Sequence, residues 1–205
     1  MTCDRAFKPL PAFEETDCPV DIARSLMSIA SESSCGRCVY CREGTNQTAL
    51  ILEDVALGKG QDGDYELLVE LLTDTAMLSG CEMSQKAAKE SLDLLVSQEE
   101  IFSQHLLRKR CKNLVCRGCF TLHALPAICQ GCGACAAICP KGAIKGGDGL
   151  IHIIDQELCD RCLKCVSACP SQAIAKAGAV KPECPTDPVP VGSFASGGKR
   201  RKRRG

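Results

Sequence analysis

Cys35, Cys38 and Cys41 stand at a strict three-residue step in SCGRCVYCREG. Three thiolates on one short loop are one ligand short of a closed tetrahedral set. The nearest cysteine downstream is Cys81, in LSGCEMS, 40 residues after Cys41. Two antiparallel helices between them would return that thiol to the loop. Farther along, CQGCGACAAICPKGAI (129–144) and CDRCLKCVSACPSQAI (159–174) align at a 30-residue offset, with every cysteine, the proline and the closing Ala-Ile matched. This chemistry is metal or iron–sulfur ligation rather than acid–base or nucleophilic catalysis. No Ser/His/Asp or Cys/His set can be assembled, and Glu99–Glu100 reads as helix N-terminal charge.

Each half of the repeat has the form C-x2-C-x2-C-x3-C-P and resembles the bacterial two-cluster ferredoxins. Three thiolates of each run reach one cubane, and the fourth, before proline, points to the neighbouring one. One [4Fe–4S] cluster is then expected on Cys129, Cys132, Cys135 and Cys169, the other on Cys139, Cys159, Cys162 and Cys165. The small residues Gly131, Gly133, Ala134 and Ala168 let the backbone close on the inorganic core, where amides tune its potential.

The elements that position these thiols read as α+β. Residues 1–17 suggest an extended arm, and 18–110 a four-helix domain. Pro19 suits a first helical position, and Ile22, Leu26 and Ile29 form a stripe. A helix over 45–57 stops at GKG, and a third over 64–78 carries Leu67, Leu71 and Leu78. Ala88, Leu92 and Leu95 mark a fourth. Ser97 with Glu100 offers a capping box ahead of an apolar pair. Residues 111–126 read as a connector and 127–176 as the ferredoxin domain, in which LIHIID is a short strand able to pair in a hairpin. His123 and His152 have no partner pattern, and His152 is expected to face solvent. Residues 177–205 read as a disordered basic tail.

ESSCGRCVYCREGT and the preceding CPVDIARSLMSIA resemble the cysteine signature of the flavin-bearing subunit of complex I and its relatives, the NAD-linked and electron-bifurcating hydrogenases. That resemblance implies a single [4Fe–4S] cluster on Cys35, Cys38, Cys41 and Cys81, followed in the bifurcating relatives by a two-cluster ferredoxin, as here. It also implies structural zinc on Cys18, His105, Cys111 and Cys116, with Cys119 as a substitute ligand, tying the ferredoxin part to the helices. Cys3 and Cys184 receive no role. The family's flavin and dinucleotide domains precede this segment, whereas only 17 residues precede Cys18, and no Gly-rich phosphate loop is present. No FMN or NAD is therefore expected on this chain.

Composition agrees with that expectation. Aromatic content is 3% with no Trp, so aromatic packing cannot organise a large core. The N-terminus has no secretory signal and no apolar run would span a bilayer, which suggests a cytoplasmic chain with reduced, metal-bound cysteines. The formal net charge is +0, but KRRKRR (199–204) concentrates positive charge at the end of an otherwise acidic body. Nucleic acid is thus an unlikely partner. The expected function is electron transfer through three [4Fe–4S] clusters in a multi-subunit oxidoreductase. Flavin/NAD(P)-binding and catalytic subunits, of hydrogenase, formate or aldehyde dehydrogenase, or NAD(P)H:ferredoxin type, would be its partners. Electron bifurcation and exchange with soluble ferredoxin are further options. The alternatives are a fragment of a larger NADH/FMN-binding subunit, and an iron–sulfur sensor that uses the basic tail.

Overall fold

The computed structural model describes residues 17–194, in two units, Met1–Phe120 and Thr121–Gly205. The arm up to residue 16, Cys3 and the KRRKRR stretch lie outside the described residues.

The first unit is helical: α1 (Pro19–Glu32), α2 (Thr45–Ala56), α3 (Asp64–Leu78), α4 (Glu82–Ser97) and α5 (Glu99–Arg108). Pro19 occupies the start of α1, where its missing N–H costs nothing. The buried faces are built of small and medium side chains: Ala23, Met27 and Ala30 from α1, Leu52 and Val55 from α2, Leu68 and Leu72 from α3, Ala87, Ala88 and Leu95 from α4. Alanine-rich faces let helices approach closely, which replaces the missing aromatic bulk. Phe102 of α5, fully buried, is the largest side chain in that core.

Several local expectations are corrected. On α1 the stripe turns so that Leu26 is buried while Ile29 is exposed. On α3 the buried positions are Leu68, Leu72 and Thr75, whereas Leu67 and Leu78 face out. Apolar residues crowd both sides of this helix, so spacing alone could not choose between two stripes one residue apart. The Ser97–Glu100 capping box does not form. Helix α5 starts at Glu99 with Gln98 as its N-cap, and the Ser97 hydroxyl instead donates back to the Leu94 carbonyl at 3.3 Å, closing α4.

Two close approaches hold the end of this unit. A Cβ on Gly118 would lie 1.8 Å from the Leu57 carbonyl carbon, so a short turn, Arg117–Cys119, rests directly on the backbone that ends α2. Lys109 donates its ammonium to the Gly60 carbonyl, fastening the end of α5 to the same α2–α3 loop.

The second unit begins earlier than the expected connector boundary, because β1 (Thr121–Ala124) already belongs to it. It pairs antiparallel with β4 (Ile174–Ala177), and β2 (Ile144–Lys145) pairs with β3 (Ile153–Ile154). The sequence repeat is a structural repeat. The entry strand of each half pairs with the exit strand of the other, and corresponding bonds recur thirty residues apart. Leu125 N–H donates to Ala173 O at 2.7 Å and Asp155 N–H to Ala143 O at 2.7 Å. Short helices α6 (Ala134–Ala137) and α7 (Lys164–Ala168) occupy equivalent places.

Two expectations for this unit change. His152 is buried, its ring lying over Gly146, where a Cβ would meet the ring at 2.6 Å. Alternation with Ile151 and Ile153 suggested an exposed strand position, but the strand itself starts only at Ile153. Residues 177–194 do not form a free tail. Ala177 ends β4, Pro190 bridges to Leu150, and Val189 and Phe194 pack beside Cys129, Ile151 and Ala173. A Val-Pro-Val run on an edge needs no N–H from its proline, so proline density here marks an edge bridge rather than disorder.

Candidate metal centres

The ferredoxin-like unit brings cysteines of its two repeats together. Cys139, Cys159, Cys162 and Cys165 line one small cavity, with Leu163 and Lys164 of the α7 entry. Burial, reinforced by the negative charge of Cys159, Cys135 and Cys162, pushes the Cys165 thiol up to about 11. In the other half, burial raises the Cys135 thiol, and the charges of Cys129 and Cys169 add to it. Thiol-only groups of this kind, each completed by a cysteine from the opposite repeat, fit the donor set of an iron–sulfur cluster. Crowding of thiols whose charges oppose one another is relieved when they ligate cationic iron.

The loops reach these positions through left-handed turns. Gly131, Gly133 and Gly142 have φ of +69°, +73° and +60°; Arg161, Leu163 and Gln172, thirty residues later, have +56°, +64° and +52°. Glycine adopts this region freely, but the second repeat holds the same path with side chains that disfavour it by about 1 kcal/mol or more each. Small residues therefore explain the first loop only. In that loop Gly131 has a second reason, since a Cβ there would lie 2.7 Å from the Gly149 carbonyl carbon. Asp160 accepts from the Cys162 amide at 3.2 Å and Asp155 from the Glu157 and Leu158 amides, at 3.1 and 3.4 Å, bracing the second loop.

In the helical unit, Cys35 and Cys38 precede a π-helical turn, Tyr40–Gly44, that runs into α2. Such wide turns are rare and concentrate at functional sites. This one buries Cys41, whose sulfur lies 3.4 Å from the Ser34 hydroxyl, while Tyr40 stays outside. The Thr45 hydroxyl donates to the Cys41 carbonyl at 2.6 Å. Cys81 is buried at the N-cap of α4. The amide of Gly80 donates to the Cys38 sulfur at 3.3 Å, so the α3–α4 junction lies against the cysteine loop 42 residues away in sequence. The fold thus brings the Cys81 segment back to Cys35–Cys41, and the start of α4 offers positive N–H ends to a negative group there.

Cys18, His105, Cys111 and Cys116 are all buried, and their ligand atoms lie within 4.8 Å of one another. The Cys18 sulfur is 3.6 Å from Cys116 Sγ and 3.4 Å from His105 Nε2. Zn–S bonds of about 2.3 Å and Zn–N bonds of about 2.0–2.1 Å in a tetrahedron set ligand edges near 3.6–3.8 Å. The observed edges fall close to those lengths. His105 Nδ1 donates to the Ile101 carbonyl at 2.8 Å, so that Nε2, once deprotonated, would face the sulfurs with its lone pair. Burial would lower the His105 pKa, but hydrogen bonds to Cys111, Cys18 and the Ile101 carbonyl outweigh it and raise it to about 10. Cys111 is held low by hydrogen bonds from Cys116 and Cys18, while Cys116 is pushed up by its hydrogen bonds with Cys111 and Cys18. A shared proton offsets part of the repulsion among these packed donors, and a Cys3His set suits zinc in its place. Cys119 is buried nearby in the chain but outside this foursome. All four residues belong to the first unit.

The remaining histidine, His123, sits on β1 with its Nε2 2.8 Å from the Thr121 hydroxyl. Cys184, given no role from sequence, lies with its sulfur 3.5 Å from the Ala124 carbonyl. No helix among the described residues is long and apolar enough to cross a membrane.

Comparison with known proteins bears on the same two segments. Residues 21–105 match the NADH-ubiquinone oxidoreductase-F iron-sulfur binding region, and residues 128–174 a 4Fe-4S dicluster domain. The NADP-reducing hydrogenase subunit HndC of Solidesulfovibrio fructosivorans is 31% identical over 136 residues, 65% of this chain and 27% of the relative. The F component of the Streptomyces coelicolor NADH-quinone oxidoreductase is 31% identical over 104 residues, 51% of this chain and 23% of the relative. The NADP(+)-dependent formate dehydrogenase subunit beta of Moorella thermoacetica is 37% identical over 83 residues, 39% of this chain and 12% of the relative. The chain spans about a quarter or less of the length of these relatives. It is an iron–sulfur electron-transfer region related to these oxidoreductase subunits and matching the C-terminal part of the flavin-bearing one.

Proposed function

We propose that this chain is an electron-relay part of a multi-subunit, flavin-linked oxidoreductase, holding three [4Fe–4S] clusters and one structural zinc ion. The observation that carries the reading is the pairing of Cys139 with Cys159, Cys162 and Cys165 around one cavity, a cysteine of one repeat completing the set of the other. Cys129, Cys132, Cys135 and Cys169 would hold the second ferredoxin-type cluster, and Cys35, Cys38, Cys41 and Cys81 the one in the helical unit. Cys18, His105, Cys111 and Cys116 would hold zinc and close the end of that unit.

Each cluster, when bound, passes one electron at a time. The protein's part is to fix the ligands, donate amides to sulfur and keep water out of the buried side of each loop. Examples are the Gly80 amide on Cys38 and the Ala173 amide on Cys169, at 3.3 Å each. Flavin, nicotinamide and substrate chemistry would lie with partner subunits of hydrogenase, formate dehydrogenase or NAD(P)H:ferredoxin type, with bifurcation as one mode of coupling. A second reading is favoured by the limited share of its relatives that the chain covers: a segment of a longer flavin-bearing subunit. The mass of the native polypeptide separates the two.

Anaerobic iron, sulfide and zinc analysis tests the assignment. About twelve irons per chain are expected, four per cluster, with one zinc. The Cys81→Ser variant should fall to about eight irons. An unaltered chain with about eight irons sinks the helical-unit cluster, and one with about four sinks the ferredoxin pair.

A further inference from the structure

The two halves of the ferredoxin-like unit repeat each other in strand pairing, turns and ligand spacing, yet one feature has no counterpart among the described residues. Residues 178–194 return along the loop 149–151, which itself rests on the first cysteine loop. Val191 N–H donates to Gly149 O at 3.0 Å, Ile151 N–H to Val189 O at 2.8 Å, and Gly149 N–H to Gly131 O at 3.0 Å. Pro190, between the two bonding valines, bridges to Leu150. The side chains of Val189 and Phe194 then pack against fully buried Ile151, Cys129 and Ala173, with Cys169 at the same cluster of contacts. The cavity lined by Cys139, Cys159, Cys162 and Cys165 includes no residue beyond 165.

We infer that residues 178–194 form a strap that shields the Cys129–Cys169 centre alone and so makes two nearly identical cluster sites unequal in potential. The inference rests on reading those cysteines as cluster ligands. Reduction adds negative charge, and water stabilises that charge better than apolar side chains do. Packing Val189 and Phe194 against the buried cluster that contains Cys129 therefore disfavours the reduced form there and holds that centre at the more negative potential. Loosening the strap raises it. The other centre, without this cover, keeps its value. The repeat builds the pair, and the strap gives it direction.

The test uses the full chain with Val191→Pro, which removes the amide given to Gly149, and separately Phe194→Ser, which opens the apolar cover. Iron and sulfide content, EPR-monitored redox titration, and the contact-shifted β-proton resonances of the ligand cysteines are measured for each. Expected are unchanged iron, an upward shift of one ferredoxin-type potential only, and displaced resonances for Cys129 and Cys169 but not for Cys159 and Cys162. Bleaching of that one centre in air should accelerate several-fold. Potentials that stay put, or that move together, with iron intact overturn the strap's role. If either variant loses iron, amide hydrogen exchange in the unaltered protein decides. Slow exchange at Ile151 and Val191 supports the strap, and fast exchange overturns it. An unaltered chain lacking the eight ferredoxin irons fails earlier, by sinking the cluster reading itself.

Discussion

His105 shows how one side chain is committed by its neighbours. Its Nδ1 proton is taken by the Ile101 carbonyl within α5, and its Nε2 is aimed at Cys18. The His105→Ala change leaves three buried thiols without their fourth donor. Zinc content of the purified protein should drop from about one to well below half. The melting temperature of the helical unit should fall by about 10 °C, since about 2 kcal/mol in a unit of this size shifts it by that order. Retention of full zinc content would move the fourth ligand elsewhere, with Cys119 the first residue to try. Gln172 makes the opposite kind of prediction. It holds φ +52° where the first repeat uses Gly142. The Gln172→Gly change should be neutral or stabilise by up to about 1 kcal/mol in chemical denaturation, because left-handed strain disappears. A loss of more than that would show that its side chain carries a contact of its own.

At the scale of elements, the Arg117–Cys119 turn meets the end of α2 backbone to backbone. Gly118 lies so near the Leu57 carbonyl that any Cβ must push the two segments apart. That turn follows Cys116 directly, so displacement is transmitted to the Cys18–His105–Cys111–Cys116 foursome. Gly118→Ala should cost about 1–3 kcal/mol of stability, read by thermal denaturation, and should speed zinc loss to a chelator. Unchanged zinc release would show that the turn and the foursome move independently. The π-helical turn at Tyr40–Gly44 follows similar logic. Gly44 is packed against Thr75 of α3, its added Cβ reaching the hydroxyl at 2.1 Å. The wide turn and the missing side chain together let the cysteine loop settle on α3.

At the scale of the molecule, each unit has its own core and its own group of candidate ligands. The four proposed zinc ligands all lie in the first unit. Treating the intact protein with a zinc-selective chelator should therefore lower one thermal transition and leave the EPR signals of the two ferredoxin-type clusters unchanged. Simultaneous loss of both would mean that the units unfold as one. The electron-transfer role divides along the same line. One unit matches the NADH-ubiquinone oxidoreductase-F iron-sulfur binding region, and the other matches a dicluster domain.

The iron–sulfur character of the chain was legible in the sequence because cysteine loops are local. A three-residue cysteine step, a proline after the fourth thiol and a thirty-residue repeat are short-range constraints that sequence displays directly. The return of the Cys81 segment followed from two helices expected between Cys41 and Cys81, and the meeting of Cys18 with His105, Cys111 and Cys116 from the resemblance. Their distances came only from folding, because nothing in the spacing fixes how helices cross. Choices between nearly equal faces were also tertiary. Leu68 rather than Leu67, Gln98 rather than Ser97, and a buried His152 were settled by which surfaces met. The strap was least visible of all. Val-Pro-Val resembles a disordered tail until an edge with a free carbonyl and amide at Gly149 and Ile151 is there to receive it. Local chemistry thus came from the chain itself, and the cover that residues 189–194 lay beside Cys129, one of the repeated cysteines, from the fold alone.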